Sequence, residues 1–213
     1  MVVRWIFAGI VAICGPAMAE DAADLFPVHV AVDCAGDALA LTLQGEVATL
    51  YYSGAEMPMA RARAASGVKF DSVDDPETYV WTKGDDAQVR LAGQDLASCR
   101  VEQVSRVTEG VWRLASLDGA PVGDTAAELS FEADGQLSGR AGCGVLGGSW
   151  SAAGAGSLTV EAEIARGEAC SPEEAAQDET LLAALRALTG LGFSPEGDLQ
   201  LRAGDATRLT VTR

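Results

Sequence analysis

Apolar and polar residues alternate with a period of two in many short stretches of this chain, a pattern typical of β-strands with one buried face. Turn signals at Gly36-Asp37, at Gly45 and at Lys83-Gly84-Asp85 separate these stretches in the first half. The strands predicted there are Val28–Val32, Ala38–Leu43, Val47–Tyr52, Thr78–Thr82 and Ala87–Leu91. Short strands in so small a unit favour a compact antiparallel barrel or sandwich.

The second half shows the same period from Val111 onward, with hairpin signals at Asp118-Gly119 and Asp134-Gly135. The strands predicted around these turns are Glu128–Glu132, Gln136–Arg140, Leu158–Glu161, Leu199–Arg202 and Arg208–Thr212. The pattern therefore predicts a second β-rich unit.

One helix interrupts these strands. Ser171 suits the N-cap, Pro172 suits the first helical position, and Glu174 completes a capping box. The apolar side chains that would line one helix face are Leu181, Leu185 and Leu188, and Gly190 is expected to end the helix.

The chain is therefore predicted to be mainly β and to form two domains. The first is a small antiparallel β-barrel over residues 26–100, and residues 101–110 are expected to be a linker. The second, over residues 111–213, is a β-rich α+β domain with one helix.

Residues 1–19 have the features of a secretory signal peptide: basic Arg4, the apolar run Trp5–Cys14, and the small-residue cleavage pattern Ala17-Met18-Ala19. The run is too short to span a bilayer. Acylation of Cys14 is disfavoured, because bulky Ile13 precedes it where a small residue is usual. The sequence thus predicts a periplasmic or secreted protein, cleaved after Ala19.

Four cysteines remain after that cleavage, an even number that predicts disulfides in an oxidising compartment. Three pairings are formally possible. The spacing favours Cys34 with Cys99 and Cys143 with Cys170, since each pair then brackets one block of strands. Loop-closure entropy gives these bridges about 4 and about 3.5 kcal/mol respectively. A zinc site is not expected, because there is no C-x-x-C and His29 is the only histidine.

The net charge of the chain without its leader indicates which classes of partner it can bind. Without Arg4, 14 basic residues stand against 31 acidic ones, a net charge of −17. Nucleic acid and anionic membranes are disfavoured, while a basic protein would be attracted over long range. The alternative interpretation is that the acidic surface serves solubility alone.

No catalytic or cofactor motif emerges. His29 is the only imidazole and lies in an apolar strand, so a serine or cysteine nucleophile lacks a base. Residues 142–147 satisfy G-x-G-x-x-G, but without the strand and helix that nucleotide binding requires. The acidic run Asp71–Glu77 lacks the calcium-loop pattern and is expected to form a solvated loop. We expect no enzyme, cofactor or metal.

The second domain resembles a known family. An aromatic-D-G hairpin at Phe131–Gly135 is followed by the turn Gly139–Cys143 and the helix entry Ala169-Cys170-Ser171-Pro172, in the order found in META (HslJ-like) domains. The resemblance implies that fold and a role at the cell envelope, without one common reaction. Gly144 stands where the family usually has asparagine.

The first domain resembles the MliC family of lysozyme inhibitors, through Cys34, Cys99, the turn Ala65-Ser66-Gly67 and the run Trp81–Ala87. In that family the serine of the S-G turn and the lysine of W-x-K-G enter the cleft of C-type lysozyme. The resemblance implies that Ser66 and Lys83 carry inhibition, while Gly67 and Gly84 support the loops. Phe70 replaces the family's tyrosine, and the longer acidic loop 71–77 is expected to disturb the site.

The chemistry of the target fits that role. Lysozyme uses a protonated glutamic acid and an ionised aspartate, so its cleft is rich in acceptors for an ammonium group. The leading hypothesis is inhibition of C-type lysozyme. The alternatives are an envelope stress or ligand-binding protein and, more remotely, a glycan hydrolase that uses a carboxylate pair.

Overall fold

The computed structural model describes residues 26–122, 127–153, 156–167 and 170–213, so the expected leader and Cys14 lie outside the described residues. Two antiparallel β-sheets build the described structure, and each closes on itself. Closure removes the unpaired edges that an open sheet would expose. The mainly β fold and the antiparallel barrel predicted from the sequence are confirmed.

The first barrel is a ring of eight strands in the order β6-β5-β4-β3-β2-β1-β9-β7, closed by pairing of β6 with β7, with the short strand β8 beside β7. Its strands are β1 Val28–Cys34, β2 Asp37–Gln44, β3 Val47–Tyr52, β4 Ala55–Ala62, β5 Val68–Ser72, β6 Tyr79–Lys83, β7 Asp86–Leu91, β8 Gln94–Asp95 and β9 Cys99–Arg106. Alternate side chains of the ring fill its interior. Examples are Val32, Leu41, Leu50, Met59 and Phe70.

The second barrel repeats this arrangement with the order β10-β12-β13-β14-β15-β16-β17-β18, closed by pairing of β18 with β10, and β11 extends β10 on one side. Its strands are β10 Trp112–Leu117, β11 Ala120–Pro121, β12 Glu128–Phe131, β13 Gln136–Arg140, β14 Gly144–Ala153, β15 Ser157–Arg166, β16 Gly190–Phe193, β17 Leu199–Ala203 and β18 Ala206–Thr212. The turn Asp118-Gly119 has positive φ at both residues, as a two-residue hairpin requires.

The helix α1, Pro172–Arg186, is capped as predicted: Ser171 accepts from the Glu174 backbone N–H, and the Glu174 carboxylate accepts from the Ser171 backbone N–H. Its buried face contributes Leu181, Ala184 and Leu185 to the core. The helix ends at Arg186 rather than at Gly190, which begins β16. No helix in the described part of the chain is long and apolar enough to cross a membrane.

The linker expected at residues 101–110 needs correction. Residues up to Arg106 belong to β9, which pairs with β1 along its whole length. Val107 is then fully buried in the second core, where its carbonyl accepts from the Trp112 indole N–H at 2.8 Å. The chain therefore passes from one barrel to the next without a free spacer.

The two barrels also touch beside that crossing, where His29 pairs with Ser105 of β9. His29 of β1 is 3% exposed and donates from Nε2 to the Pro195 carbonyl at 3.0 Å. The Phe26 ring packs on Trp150, with 4.9 Å between centroids. The second barrel therefore covers the outer face of β1 in the first, and His29 serves this packing.

Candidate functional site

The structure brings Ser66 and Lys83 to the same end of the first barrel. Ser66 lies in the loop that connects β4 to β5, and Lys83 ends β6. Val68 of β5 pairs with Thr82 of β6, so the residues just beyond that pair on each strand are neighbours. Both side chains are exposed to solvent.

Gly67 permits this close approach. It has φ of +72°, and a Cβ placed on it would lie 2.2 Å from the Thr82 carbonyl oxygen and 3.0 Å from Lys83 Cβ. Neither the backbone angle nor the space admits a side chain. The loop bearing Ser66 therefore rests directly on the backbone beside Lys83.

Trp81 fixes the loop from the opposite strand. Its indole N–H donates to the Ser66 carbonyl at 2.8 Å. Tyr79 and Trp81 alternate with Val80, a pattern that predicts cross-strand packing, so this positioning bond is a role that sequence reasoning missed. The only signal was the placement of a polar-tipped aromatic residue two positions before Lys83.

The turn after Lys83 is also held. Lys83 pairs with Asp86 across a two-residue turn in which Gly84 has φ of +59°. The Asp85 carbonyl accepts from the backbone N–H of Val101 in β9 at 3.0 Å. Lys83 therefore extends from a backbone that is fixed on both sides.

The two lysines of the chain, Lys69 and Lys83, have different surroundings. Lys69 Nζ lies 2.6 Å from Asp71 Oδ1 and 4.8 Å from the centre of the Tyr79 ring. Within the described residues Lys83 has no ion-pair partner, although Asp85 and Asp86 follow it closely. An exposed ammonium group without a partner retains all three donors for another molecule.

The acidic loop lies far from this pair. Residues 73–78 connect the other ends of β5 and β6, about 13 Å away along a five-residue strand. The loop is ordered by Asp75, which accepts from the Thr78 hydroxyl at 2.7 Å and from the Glu77 backbone N–H at 3.0 Å. The hydrogen bond from the Thr78 hydroxyl has the larger effect in lowering the pKa of Asp75, and the bond from the Glu77 backbone N–H lowers it further. The loop therefore lies at the other end of β5 and β6 from Ser66 and Lys83, and the displacement of Ser66 expected from its length is not seen.

Phe70 points into the first barrel and is 3% exposed. It is the third residue of β5 and belongs to the apolar core of this barrel. Replacing tyrosine by phenylalanine at this position therefore leaves the exposed surface around Ser66 and Lys83 unchanged.

The second barrel leaves the pair accessible. In the ring of eight strands, β5 and β6 stand opposite β1 and β2. The contacts made by Phe26 and His29 lie on the β1 side. Phe26 and Val28 line the same mouth of the first barrel as Thr82 and Gly84, yet Ser66 and Lys83 remain exposed to solvent with the second barrel in place.

Both disulfides are formed between the cysteines favoured by spacing. Cys34 bonds Cys99 at the far ends of β1 and β9, and Cys143 bonds Cys170 just before α1. Cys99 directly precedes Arg100, which pairs with Asp86, so the first bridge holds the start of the strand that flanks the Lys83 turn. The second bridge ties the glycine-rich turn to the helix. Gly144 begins a strand, so the G-x-G-x-x-G residues are not followed by the helix that a nucleotide site requires.

The packing around Gly144 is consistent with glycine at this position, where META domains usually have asparagine. A Cβ at this position would lie 2.3 Å from Ile164 Cγ2 and 3.2 Å from Asp178 Oδ2. An asparagine would not fit in this packing. The described residues hold no group of three or more His, Cys, Asp or Glu side chains that could bind a metal ion.

Comparison with protein families gives two matches in this order along the chain. Residues 33–98 match the family described as membrane-bound lysozyme-inhibitor of c-type lysozyme (MliC), and residues 105–213 match the META domain. No curated protein and no solved structure matches the chain.

Proposed function

Because this chain belongs to the META domain family and carries an MliC-type domain in front of it, we propose that it is an exported inhibitor of C-type lysozyme. The observation that carries the proposal is the exposed pair Ser66 and Lys83, held side by side at one end of the first barrel. We propose residues 26–106 as the inhibitor unit and the rest of the described chain as an envelope-associated module.

In this mechanism Lys83 enters the lysozyme cleft and donates to the two catalytic carboxyl groups. Charge-assisted hydrogen bonds of this kind contribute about 1.5–3 kcal/mol each. The hydroxyl of Ser66 adds a further donor or acceptor beside it. Blocking the cleft requires no chemistry from the inhibitor, only a side chain that fits where the sugar would bind.

The rigidity of the site supports tight binding. The loop is fixed by the Trp81 bond to Ser66 and by contact of Gly67 with Thr82, so little backbone freedom remains to be lost on association. Without residues 1–19, the net charge of −17 (14 basic and 31 acidic residues) would attract a basic enzyme over a distance of about 10 Å at 0.1 M salt. Lys83 then supplies the local positive charge that the acidic cleft needs.

Lysozyme activity on a cell-wall suspension tests this proposal, with increasing amounts of the oxidised protein lacking residues 1–19. We expect inhibition that is complete near equimolar protein and weakens as salt rises. Lys83→Ala should weaken inhibition about tenfold or more, which corresponds to ~1.4 kcal/mol. Lys69→Ala is the matched control, since it removes the same charge from the neighbouring strand, where Asp71 already pairs with it.

Absence of inhibition at micromolar protein would contradict the proposal and favour an envelope stress or ligand-binding role. Equal weakening by Lys69→Ala and Lys83→Ala would mean that general charge, rather than the Lys83 side chain, determines binding. Release of glycan fragments by the protein alone would instead support hydrolysis.

A further inference from the structure

The second barrel contains a cleft that the lysozyme proposal does not use. Helix α1 forms one wall and the strands β10 and β11 form the other, around a volume of about 520 Å³. Most of the lining is apolar, with Leu114, Leu117, Val122 and Leu181 among its side chains. A cleft of this size and composition suits the apolar part of a small molecule.

Asp178 gives this cleft a polar floor. Its side chain is 1% exposed, and Oδ1 has no hydrogen-bond partner among the described residues. Oδ2 lies 3.6 Å from Arg166 Nε and 3.3 Å from Cys143 Sγ. That sulfur is bonded to Cys170 and has no proton to give. Buried carboxylate oxygens normally accept at least one hydrogen bond each. Oδ1 of Asp178 accepts none from the described residues.

Gly142 lies beside the oxygen of Asp178 that has no donor in the described part of the chain. Gly142 lines the same cleft, and a Cβ built on it would lie 3.2 Å from Asp178 Oδ1. The same point lies 3.8 Å from Gln177 Oε1 and 3.8 Å from the Glu174 carbonyl oxygen. Because residue 142 has no side chain, these three oxygen acceptors border the space beside its Cα, which we call the gap. Gly144, on the Oδ2 side, offers no side-chain donor either.

The charge expected of the ligand follows from the residues that line the cleft. No lysine, arginine or histidine is among the described residues that line the cleft, whereas Glu173 and Asp178 both carry carboxylates. Arg166 contacts Asp178 from the Oδ2 side and pairs with Glu179 outside the cleft. The field at the gap therefore favours a cation with N–H donors.

We propose that this cleft binds a small molecule with an ammonium group and an apolar body. The ammonium group enters from the cleft at the gap beside Gly142 and donates to Asp178 Oδ1, with Gln177 Oε1 as a second acceptor that lines the cleft. The apolar body lies between α1 and β10. This site is separate from Ser66 and Lys83, so it stands whether or not the protein inhibits lysozyme.

The test uses three probes with the same chain and different heads: n-hexylammonium, 1-hexanol and hexanoate. Binding to the oxidised protein is followed by backbone amide resonances in a ¹H–¹⁵N NMR titration at millimolar probe, the range expected for so small a ligand. We expect hexylammonium to shift the resonances of Gly142, Asp178 and Leu181 and to bind about tenfold or more tightly than hexanol. Hexanoate should leave these resonances unmoved.

Two variants locate the site. Asp178→Asn removes the charge and should weaken hexylammonium binding about tenfold or more. Gly142→Ala retains every charge and fills the gap with a methyl group, so it should weaken binding similarly even if Asp178→Asn proves unstable. Glu179→Gln is the matched control: it removes one charge from the next helix position, at an exposed side chain, and should leave binding unchanged.

The proposal fails if hexylammonium does not shift the cleft resonances, or if hexanoate binds as well as hexylammonium. It also fails if Glu179→Gln weakens binding as much as Asp178→Asn does while Gly142→Ala has no effect. That outcome would mean that amines bind to the acidic surface in general. Well-dispersed amide spectra of each variant show that it is folded.

Discussion

The two barrels share a closed eight-stranded ring and one disulfide each, yet they leave charged groups of opposite sign without partners. The first presents Lys83, a cation without an ion-pair partner among the described residues, at the tip of a fixed hairpin. The second encloses an anion with too few partners, Asp178, below a cleft. The difference teaches that the scaffold does not determine the role. What each barrel can bind depends on which charged group its strands and loops leave unsatisfied.

The largest effects should come from the bridges, which close loops of 65 and 27 residues by sequence separation. Replacing Cys34 and Cys99 by alanine should lower the free energy of unfolding of the first barrel by about 4 kcal/mol. Replacing Cys143 and Cys170 should cost the second barrel about 3.5 kcal/mol. Urea unfolding followed by NMR resonances of each barrel measures both.

This pair of variants also separates the functions. We expect the first double variant to lose lysozyme inhibition and to retain hexylammonium binding, and the second to do the reverse. Loss of both activities in both variants would show that the barrels fold as one unit, through the contacts of His29 and Phe26.

Gly67→Ala should have the next largest effect. A left-handed backbone costs a non-glycine residue about 1–2 kcal/mol, and at Gly67 the clash with the Thr82 carbonyl adds to that cost. Gly54→Ala is the matched control, because Gly54 has φ of +80° but open space around it. We expect inhibition to fall about tenfold or more for Gly67→Ala alone, while both variants lose stability in thermal unfolding. Equal inhibition by the two variants would contradict the proposed loop position.

Trp81→Phe should have a moderate effect. It retains the aromatic ring and removes the N–H that donates to the Ser66 carbonyl, an interaction of about 1 kcal/mol. If all of that loss reaches binding, inhibition weakens about fivefold. Isothermal titration against lysozyme measures the change, with Tyr79→Phe as a control two positions earlier in β6. No change for Trp81→Phe would mean that the loop is held by Gly67 alone.

The smallest expected effect concerns pH and the second barrel. Hydrogen bonds from the Ser171 backbone and then the Ser171 hydroxyl lower the pKa of Glu174 from 4.5. A lowered pKa in the folded state gives stability that is present above pH 4.5 and is lost as pH falls through the lowered value. Glu174→Gln should therefore flatten the acid limb of the stability curve, measured by thermal unfolding between pH 3 and pH 7. An unchanged acid limb would contradict this role.

Much of the fold could be predicted because its signals are local. The capping box at Ser171 and Glu174 needs only three residues of spacing, and hairpin turns such as Asp118-Gly119 need two. Strand β9 was missed because a bulge opposite Ala31 and Val32 inserts an extra residue. That insertion breaks the period of two between Val101 and Val104. Strand β4 was missed because only Met59 is buried in it.

The site was predictable in part. The resemblance to MliC domains pointed to Ser66 and Lys83, but the distance of the acidic loop from them could not be read from the sequence. Residues 71–77 follow Ser66 closely along the chain, yet β5 carries them to the other end of the barrel. The cleft at Asp178 was not predicted, because its acceptors come together only when α1 packs beside Gly142.

The most direct test of the central claim is competition for the lysozyme cleft. Binding of the oxidised protein to C-type lysozyme is measured by titration calorimetry, with and without a saturating oligosaccharide of N-acetylglucosamine that occupies the cleft. If Lys83 and Ser66 enter the cleft, the sugar and the protein exclude each other, and the apparent affinity falls in proportion to the sugar bound. Equal affinity with and without the sugar would contradict the account.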